Sequence, residues 1–212
     1  MRTDELIAQL TGNLDPIRKG TVVRTLSGAI LLGLAGSILV MLTALGLRHD
    51  FAAAVISFGM WMKLAYTFAL AAVGFWLVER VGRPGAEMTK PGLFLALPVL
   101  AIAVLAALQM SAPGANIPVL VLGHSSRVCA FLVALTALPT LAATFWALRR
   151  LAPTQLTLAG VGAGLFAGAA GAFVYSFHCT EGAAPFVGLW YTLGILLTAG
   201  IGGFLGRFLL RW

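Results

Sequence analysis

Long apolar stretches alternate with short polar segments along the whole chain. A helix needs about 20 apolar residues to cross roughly 30 Å of hydrocarbon, and six stretches reach or approach that length. The pattern predicts an all-α polytopic membrane protein with six transmembrane helices. The predicted spans are Leu26 to Leu47, Phe51 to Val78, Leu93 to Met110, Val128 to Leu148, Leu156 to Phe177 and Phe186 to Leu205.

Composition agrees with this interpretation, because 60% of the 212 residues are hydrophobic and only 10% are charged, against about 25% in soluble domains. A water-soluble core of this composition is excluded. The first span is expected to be retained, since it is too long for a signal-peptide core and five further spans follow it. The net charge of +7 is spread over short loops, which argues against direct nucleic-acid binding.

The basic residues predict the orientation. Eleven of the 14 fall on one side of the predicted spans, two (Arg48 and Arg127) fall on the other, and Lys63 lies inside span two. The positive-inside rule then places both termini in the cytoplasm of a bacterial cell, with a multi-pass protein in its inner membrane. The eleven are Arg2, Arg18, Lys19, Arg24, Arg80, Arg83, Lys90, Arg149, Arg150, Arg207 and Arg211.

Residues 1–22 form the predicted cytoplasmic segment, and residues 23–212 form the transmembrane domain. Thr3 is a suitable cap for a short amphipathic helix, acidic residues follow it, and apolar residues recur on one face. Such a helix either rests on the bilayer surface or docks on a cytoplasmic partner, and periodicity does not decide between the two. The residues predicted to bind a partner are Asp4, Glu5, Leu6, Ile7 and Leu10.

The two cysteines are predicted to lie at the same outer surface. Cys129 begins span four and Cys179 follows span five, and a short inner loop joins these spans as an antiparallel hairpin. His124, His178 and Glu181 flank the two thiols in sequence. Thiolate, imidazole and carboxylate groups together suit a soft or borderline metal ion. A transient heavy-metal ion is therefore the only cofactor that the sequence suggests.

Other roles for the thiols remain open. The oxidising periplasm favours a structural disulfide, and the two thiols could also be unrelated to each other. Lys63, the only strongly ionisable residue deep inside a span, is expected to face the bundle beside Tyr66, as a structural anchor or an ion relay. Gly160, Gly164 and Gly168 in span five, with Gly202 and Gly206 in span six, predict two smooth faces for close helix contact.

Four segments resemble the NrsF-type family of membrane anti-sigma factors, and the resemblance extends over nearly the whole chain. They are the opening RTDELIAQL, the span-two segment WMKLAYT, SSRVCAFLVALTALP, and FHCTEGAAPFVGLWYTLGILL near the end. The resemblance implies a protein that holds a sigma factor of the extracytoplasmic-function (ECF) class at the inner membrane. It further implies release under heavy-metal or oxidative stress, with Cys129 and Cys179 as the sensor cysteines.

The sequence interpretation is therefore a regulator without catalytic turnover, whose partners are the lipid bilayer and an ECF sigma factor. Many anti-sigma factors carry a larger soluble domain, so binding here would fall to the short N-terminal segment and the inner loops. Two rival functions are a small transporter or channel using Lys63 and a membrane thiol oxidoreductase using the cysteines. The absence of a CxxC motif weakens the second rival.

Overall fold

The computed structural model describes residue 3 and residues 21–82, 89–151 and 153–211. Within these ranges the chain is helical and contains no β-strand. The predicted amphipathic helix in residues 1–22 lies almost wholly outside them. The helices are α1 (Thr21–Val40, extended by a π-helical turn at Met41–Leu45), α2 (Phe51–Val55), α3 (Phe58–Val81), α4 (Thr89–Phe94), α5 (Ala96–Met110), α6 (Ile117–Leu122), α7 (Ser126–Arg149), α8 (Leu156–Tyr175), α9 (Ala184–Phe186, followed by a π-helical turn at Val187–Tyr191) and α10 (Thr192–Leu209).

Six helical stretches in the described residues are long and apolar enough to cross a membrane, which confirms the predicted number. They are Leu26–Leu45, Phe58–Val81, Gly92–Met110, Ile117–Arg149, Leu156–Tyr175 and Ala184–Leu209, here called spans one to six. The orientation of the bundle in the membrane stays a prediction.

The predicted start of span two at Phe51 is wrong. Phe51 belongs to the separate short helix α2, and α3 begins only after Ser57, whose hydroxyl accepts a hydrogen bond from the Met60 backbone N–H. Ser57 has extended backbone dihedrals, as is usual for an N-cap residue. A continuous apolar run hides such a break because the capping residue is small and its neighbours are apolar.

Span four is longer than predicted, because helix α6 precedes α7. The two are separated by a bend at Gly123, which has a φ angle of +51°, a conformation that favours glycine. The loop between spans three and four is therefore shorter than the sequence suggested.

Span five is the centre of the bundle. In its most apolar window 72% of residues are buried, against 11% in span three. Helix α8 contacts α10, α3 and α7, and its many glycines and alanines allow close approach on all of these sides. Span three lies at the periphery, so lipid would cover most of its surface.

Spans five and six pack through the two glycine faces that the sequence predicts. A Cβ atom added to Gly202 would collide with the carbonyl oxygen of Gly160, and one added to Gly206 would lie 2.6 Å from the carbonyl oxygen of Leu156. Close backbone contact of this kind is available only to glycine. The prediction of close helix contact is correct for this pair.

Spans one and four meet in a similar way at the proline inside α7. A Cβ atom on Gly36 would lie 2.8 Å from the Cβ of Pro139. Beside this contact, the buried hydroxyls of Ser37 and Thr140 share a hydrogen bond of 2.9 Å. In an apolar environment the hydroxyl pair satisfies polar atoms that would otherwise be costly to bury.

Candidate functional site

The two cysteines meet at the end of the bundle where spans one, three and five end, here called the thiol end. Cys129 lies in the first turns of α7, and Cys179 lies in the loop that follows α8. Both are free thiols, and both are almost completely buried. They belong to one apolar cluster, and their side chains are close enough to share a hydrogen bond.

Two buried tyrosines enclose the sulfur atoms. Tyr175 ends α8 and Tyr191 ends the π-helical turn in span six, and their ring centroids are 5.7 Å apart. The Tyr175 hydroxyl hydrogen-bonds with Cys129. The Tyr191 hydroxyl is fully buried and interacts with Cys179. Each tyrosine hydroxyl therefore adjoins one of the two thiols, and a buried hydroxyl without such a neighbour would be costly.

Two cations hold the backbone of Cys179. The Lys63 ammonium, which is fully buried in span two, donates a hydrogen bond of 2.7 Å to the Cys179 carbonyl oxygen. The Arg48 guanidinium donates to the same oxygen at 3.2 Å. Tyr66, expected beside Lys63, instead shares a 2.6 Å hydrogen bond with Thr192 in span six.

The surroundings of Cys179 favour its thiolate form. The hydrogen bond with Cys129 is the largest cause of a pKa below the ordinary value of a thiol, and the positive charge of Lys63 acts in the same direction. Burial opposes both effects, because it disfavours the charged form. A thiolate is the nucleophilic and metal-binding form of cysteine, so the geometry favours reaction at Cys179.

Arg48 also binds a carboxylate in the loop after span one. Its guanidinium makes two hydrogen bonds of 2.7 Å to Asp50. This contact lowers the pKa of Asp50 to about 2 and raises that of Arg48. The pair keeps the loop after span one against the Cys179 loop, where the Arg48 backbone N–H also donates to the Phe177 carbonyl.

The loop Phe177–Ala184 contacts the loop after span one and the ends of spans two and three at the thiol end. Besides the contacts of Arg48 and Lys63, His178 hydrogen-bonds to the Gly46 carbonyl at 2.9 Å. The Ala184 N–H donates to the Gln109 side chain at the end of span three. Gly182 lies against Gly59 at the start of span two. A displacement of Cys179 would consequently alter contacts with spans one, two and three.

Glu181 joins the same loop to the bend before span four. Its carboxylate accepts a 2.7 Å hydrogen bond from the His124 backbone N–H and lies 3.3 Å from the His124 ring. The carboxylate lies so close to Gly123 that a Cβ atom there would approach it to 2.7 Å. The imidazole of His124 is largely exposed, whereas that of His178 is engaged with Gly46.

The structure separates the proposed metal ligands into smaller groups. Cys129 pairs with Cys179, His124 pairs with Glu181, and His178 faces a backbone carbonyl. Across the described ranges, no three His, Cys, Asp or Glu side chains converge as they would to hold a metal ion. In this conformation the site is a dithiol, and the five-residue ligand set is not assembled.

Comparison with known proteins gives one consistent result. The family model described as "Negative regulator of sigma F" matches residues 10–212. The chain belongs to this family. It is 38% identical over 213 residues to the probable anti-sigma-F factor NrsF of Azospira oryzae and 37% identical over 214 residues to the anti-sigma-F factor NrsF of Caulobacter vibrioides. Each alignment covers the whole of both chains, and no solved structure matches.

The sequence interpretation of this sigma F regulator family member missed the tyrosines and Arg48. Tyr175 and Tyr191 each lie in an apolar run, where an aromatic residue is ordinarily assigned to packing. The available clue was that Tyr175 precedes Cys179 by about one helical turn in the sequence. Arg48 was counted only as one of two outer basic residues, and its neighbour Asp50 was the available clue to an ion pair.

Proposed function

We propose that the protein is a membrane-bound anti-sigma factor of the bacterial inner membrane, without catalytic turnover. It holds an ECF sigma factor at the cytoplasmic face and releases it when a heavy metal or an oxidant alters Cys129 and Cys179. The observation that carries this proposal is the full-length similarity to two proteins named anti-sigma-F factors. The buried, adjacent thiols supply a group that such a signal can modify.

In the proposed mechanism, the sensor cysteines and the bound sigma factor lie on opposite sides of the membrane. Metal ligation or oxidation changes the spacing that the two sulfur atoms prefer, so it favours a second arrangement of the helices. The sigma factor is released if it binds this second arrangement less tightly, since a signal shifts an equilibrium only by its differential affinity for the two states. The loop Phe177–Ala184, with its contacts to the other spans, is the element that would carry the change.

The principal experiment is co-purification. The tagged protein is extracted from the membrane in mild detergent, and bound sigma factor is detected before and after treatment with cadmium ions or the thiol oxidant diamide. We expect a sigma factor to be retained without treatment and lost with it. Absence of any sigma factor from the untreated complex would contradict the proposed function.

The orientation leads to a prediction about reporter fusions. Alkaline phosphatase, which is active only in the periplasm, is expected to be inactive when fused after Trp212 and active when inserted at Gly114. Gly114 is suitable for insertion because it is exposed and no atom lies within 4 Å of a Cβ placed there. Activity at Trp212 would contradict the proposed cytoplasmic C-terminus.

The docking surface leads to a second prediction. If residues Leu6, Ile7 and Leu10 enter an apolar groove on the sigma factor, losing one buried leucine anchor would cost roughly 2 kcal/mol or more. The double substitution Leu6→Ala with Leu10→Ala should therefore release the sigma factor without any stress.

Gln9→Ala, which lies off the apolar stripe, is the matched control and should repress normally. Reporter expression from a sigma-dependent promoter is measured in both variants at equal membrane levels. Full repression by the double variant would show that the segment is only an interfacial anchor.

A further inference from the structure

Burying the Lys63 side chain inside span two carries a free-energy cost. Lys63 lies in the second turn of span two, near the thiol end, and its side chain is completely buried. Burying an ammonium group is costly unless hydrogen bonds or an opposite charge compensate it. Among the ion pairs of the described residues, none involves Lys63. Its bonding partner is a backbone carbonyl, that of Cys179.

That carbonyl does not depend on Lys63 for a hydrogen bond. The Arg48 guanidinium already donates to it at 3.2 Å from the surface of the bundle. An apolar side chain at position 63 would thus avoid the cost of burying an ammonium group and leave the carbonyl satisfied. What the lysine adds is a direct link, 2.7 Å long, between the peptide carrying Cys179 and span two.

Span two is well suited to carry a displacement across the membrane. Helix α3 runs for 24 residues without an internal proline or a π-helical turn. By contrast, spans one and six contain π-helical turns, and span four contains Pro139. From Lys63 to Val81 the helix rises roughly 27 Å at 1.5 Å per residue, which is close to the thickness of the hydrocarbon.

Two further contacts hold this helix against its neighbours, one at its start and one near its middle. Near the thiol end, Gly59 lies against Gly182 in the same loop as Cys179. Farther along, Gly74 is so close to the backbone of Phe166 in span five that a Cβ atom would approach it to 2.9 Å. A displacement at Lys63 would therefore slide span two along span five, and the basic residues that follow Leu77 would move with it.

We propose that Lys63 is a positioning residue that transmits the state of the Cys129 and Cys179 pair to span two and so to the opposite face of the bundle. This inference rests on the proposed function. It differs from a role in stability, because removing the link should leave the bundle intact. The two thiols should still form a disulfide, although more slowly without the positive charge of Lys63, and only the communication between the thiol pair and span two should be abolished.

The test compares Lys63→Met, which keeps length and removes the donor, with Lys63→Arg, which keeps a cationic donor. Each full-length variant is measured for membrane level, for repression without stress, for the final extent of disulfide formation between the cysteines in excess diamide, and for reporter induction under the same treatment. Lys63→Met should match the parent in the first three and lose roughly tenfold in induction, within the usual range of allosteric couplings. Lys63→Arg should recover at least about half of the parental induction, since the donor is retained.

Parental induction by Lys63→Met would overturn the proposal, as would failure of Lys63→Arg to restore any response. If Lys63→Met does not accumulate, Lys63→Leu, which also lacks a donor, replaces it with the same expectation, and failure of both to accumulate would assign Lys63 to stability instead. The double variant Cys129→Ser with Cys179→Ser is measured in parallel. Normal induction in that variant would refute the sensor function itself. If the double variant shows no induction while Lys63→Met shows normal induction, only the coupling role of Lys63 is refuted.

Discussion

Gly202→Leu is expected to prevent spans five and six from packing. The added Cβ atom would overlap the carbonyl oxygen of Gly160 and lie 3.0 Å from the Gly164 Cα. These are backbone atoms, which cannot move away by rotation about a side-chain bond. Overpacking commonly costs 1–3 kcal/mol, so with backbone on both sides we expect at least about 3 kcal/mol. Thermal unfolding of the detergent-solubilised protein should reveal this as a marked fall in Tm.

Gly200→Leu provides the matched control two residues away on the same helix. Gly200 is exposed, and a Cβ atom there would meet nothing within 4 Å. The substitution adds apolar surface facing lipid and replaces a poor helix former, so its Tm should be equal to or above that of the parent. Equal stability of the two leucine variants would show that the glycine contact does not hold the bundle together.

Loss of either cysteine is expected to abolish the proposed response to heavy metals and oxidants. Serine in place of Cys129 or Cys179 keeps a hydrogen-bonding group but can neither form a disulfide nor bind a soft metal ion as thiolate does. Because the two thiols are neighbours in one buried site, they should act as a unit. The double serine variant should then resemble each single variant, which is the non-additivity expected of directly interacting residues.

The measurement is sigma-dependent reporter induction by cadmium or diamide, together with alkylation of the thiols from the periplasmic side. Thr180→Ser, an exposed change adjacent to Cys179, is the control and should respond like the parent. Independent, additive effects of the two cysteines would contradict a paired sensor. Unchanged induction in the double serine variant would rule out sensing by these thiols altogether.

The sequence was sufficient for the number of helices because crossing a membrane imposes a length and a composition on each one. It also indicated the glycine faces, since the four-residue spacing of Gly160, Gly164 and Gly168 puts small residues on one side of a helix. The ends of the helices were harder to predict, because the cap at Ser57 and the bend at Gly123 lie within largely apolar sequence, where hydropathy changes little. Both depend on local backbone geometry.

The sequence identified the cysteines, Lys63 and the flanking histidines and Glu181 as candidate site residues, but it did not reveal most of their contacts. Antiparallel spans place Cys129 and Cys179 at the same depth, which follows from connectivity alone. The partner of Lys63 could not be found in this way, because it is the carbonyl of Cys179 and a backbone acceptor leaves no signature in the sequence. The same holds for His178, whose partner is the Gly46 carbonyl.

The peripheral place of span three has a consequence for how the sequence can change over time. Only 11% of its apolar window is buried, so in a membrane most of its side chains would meet fluid lipid chains, which accept any apolar shape. Substitutions among leucine, valine, isoleucine and alanine should therefore accumulate there freely during evolution, restrained only by hydropathy and length. Span five, enclosed by three other helices, has no such latitude, and its small residues should change slowly.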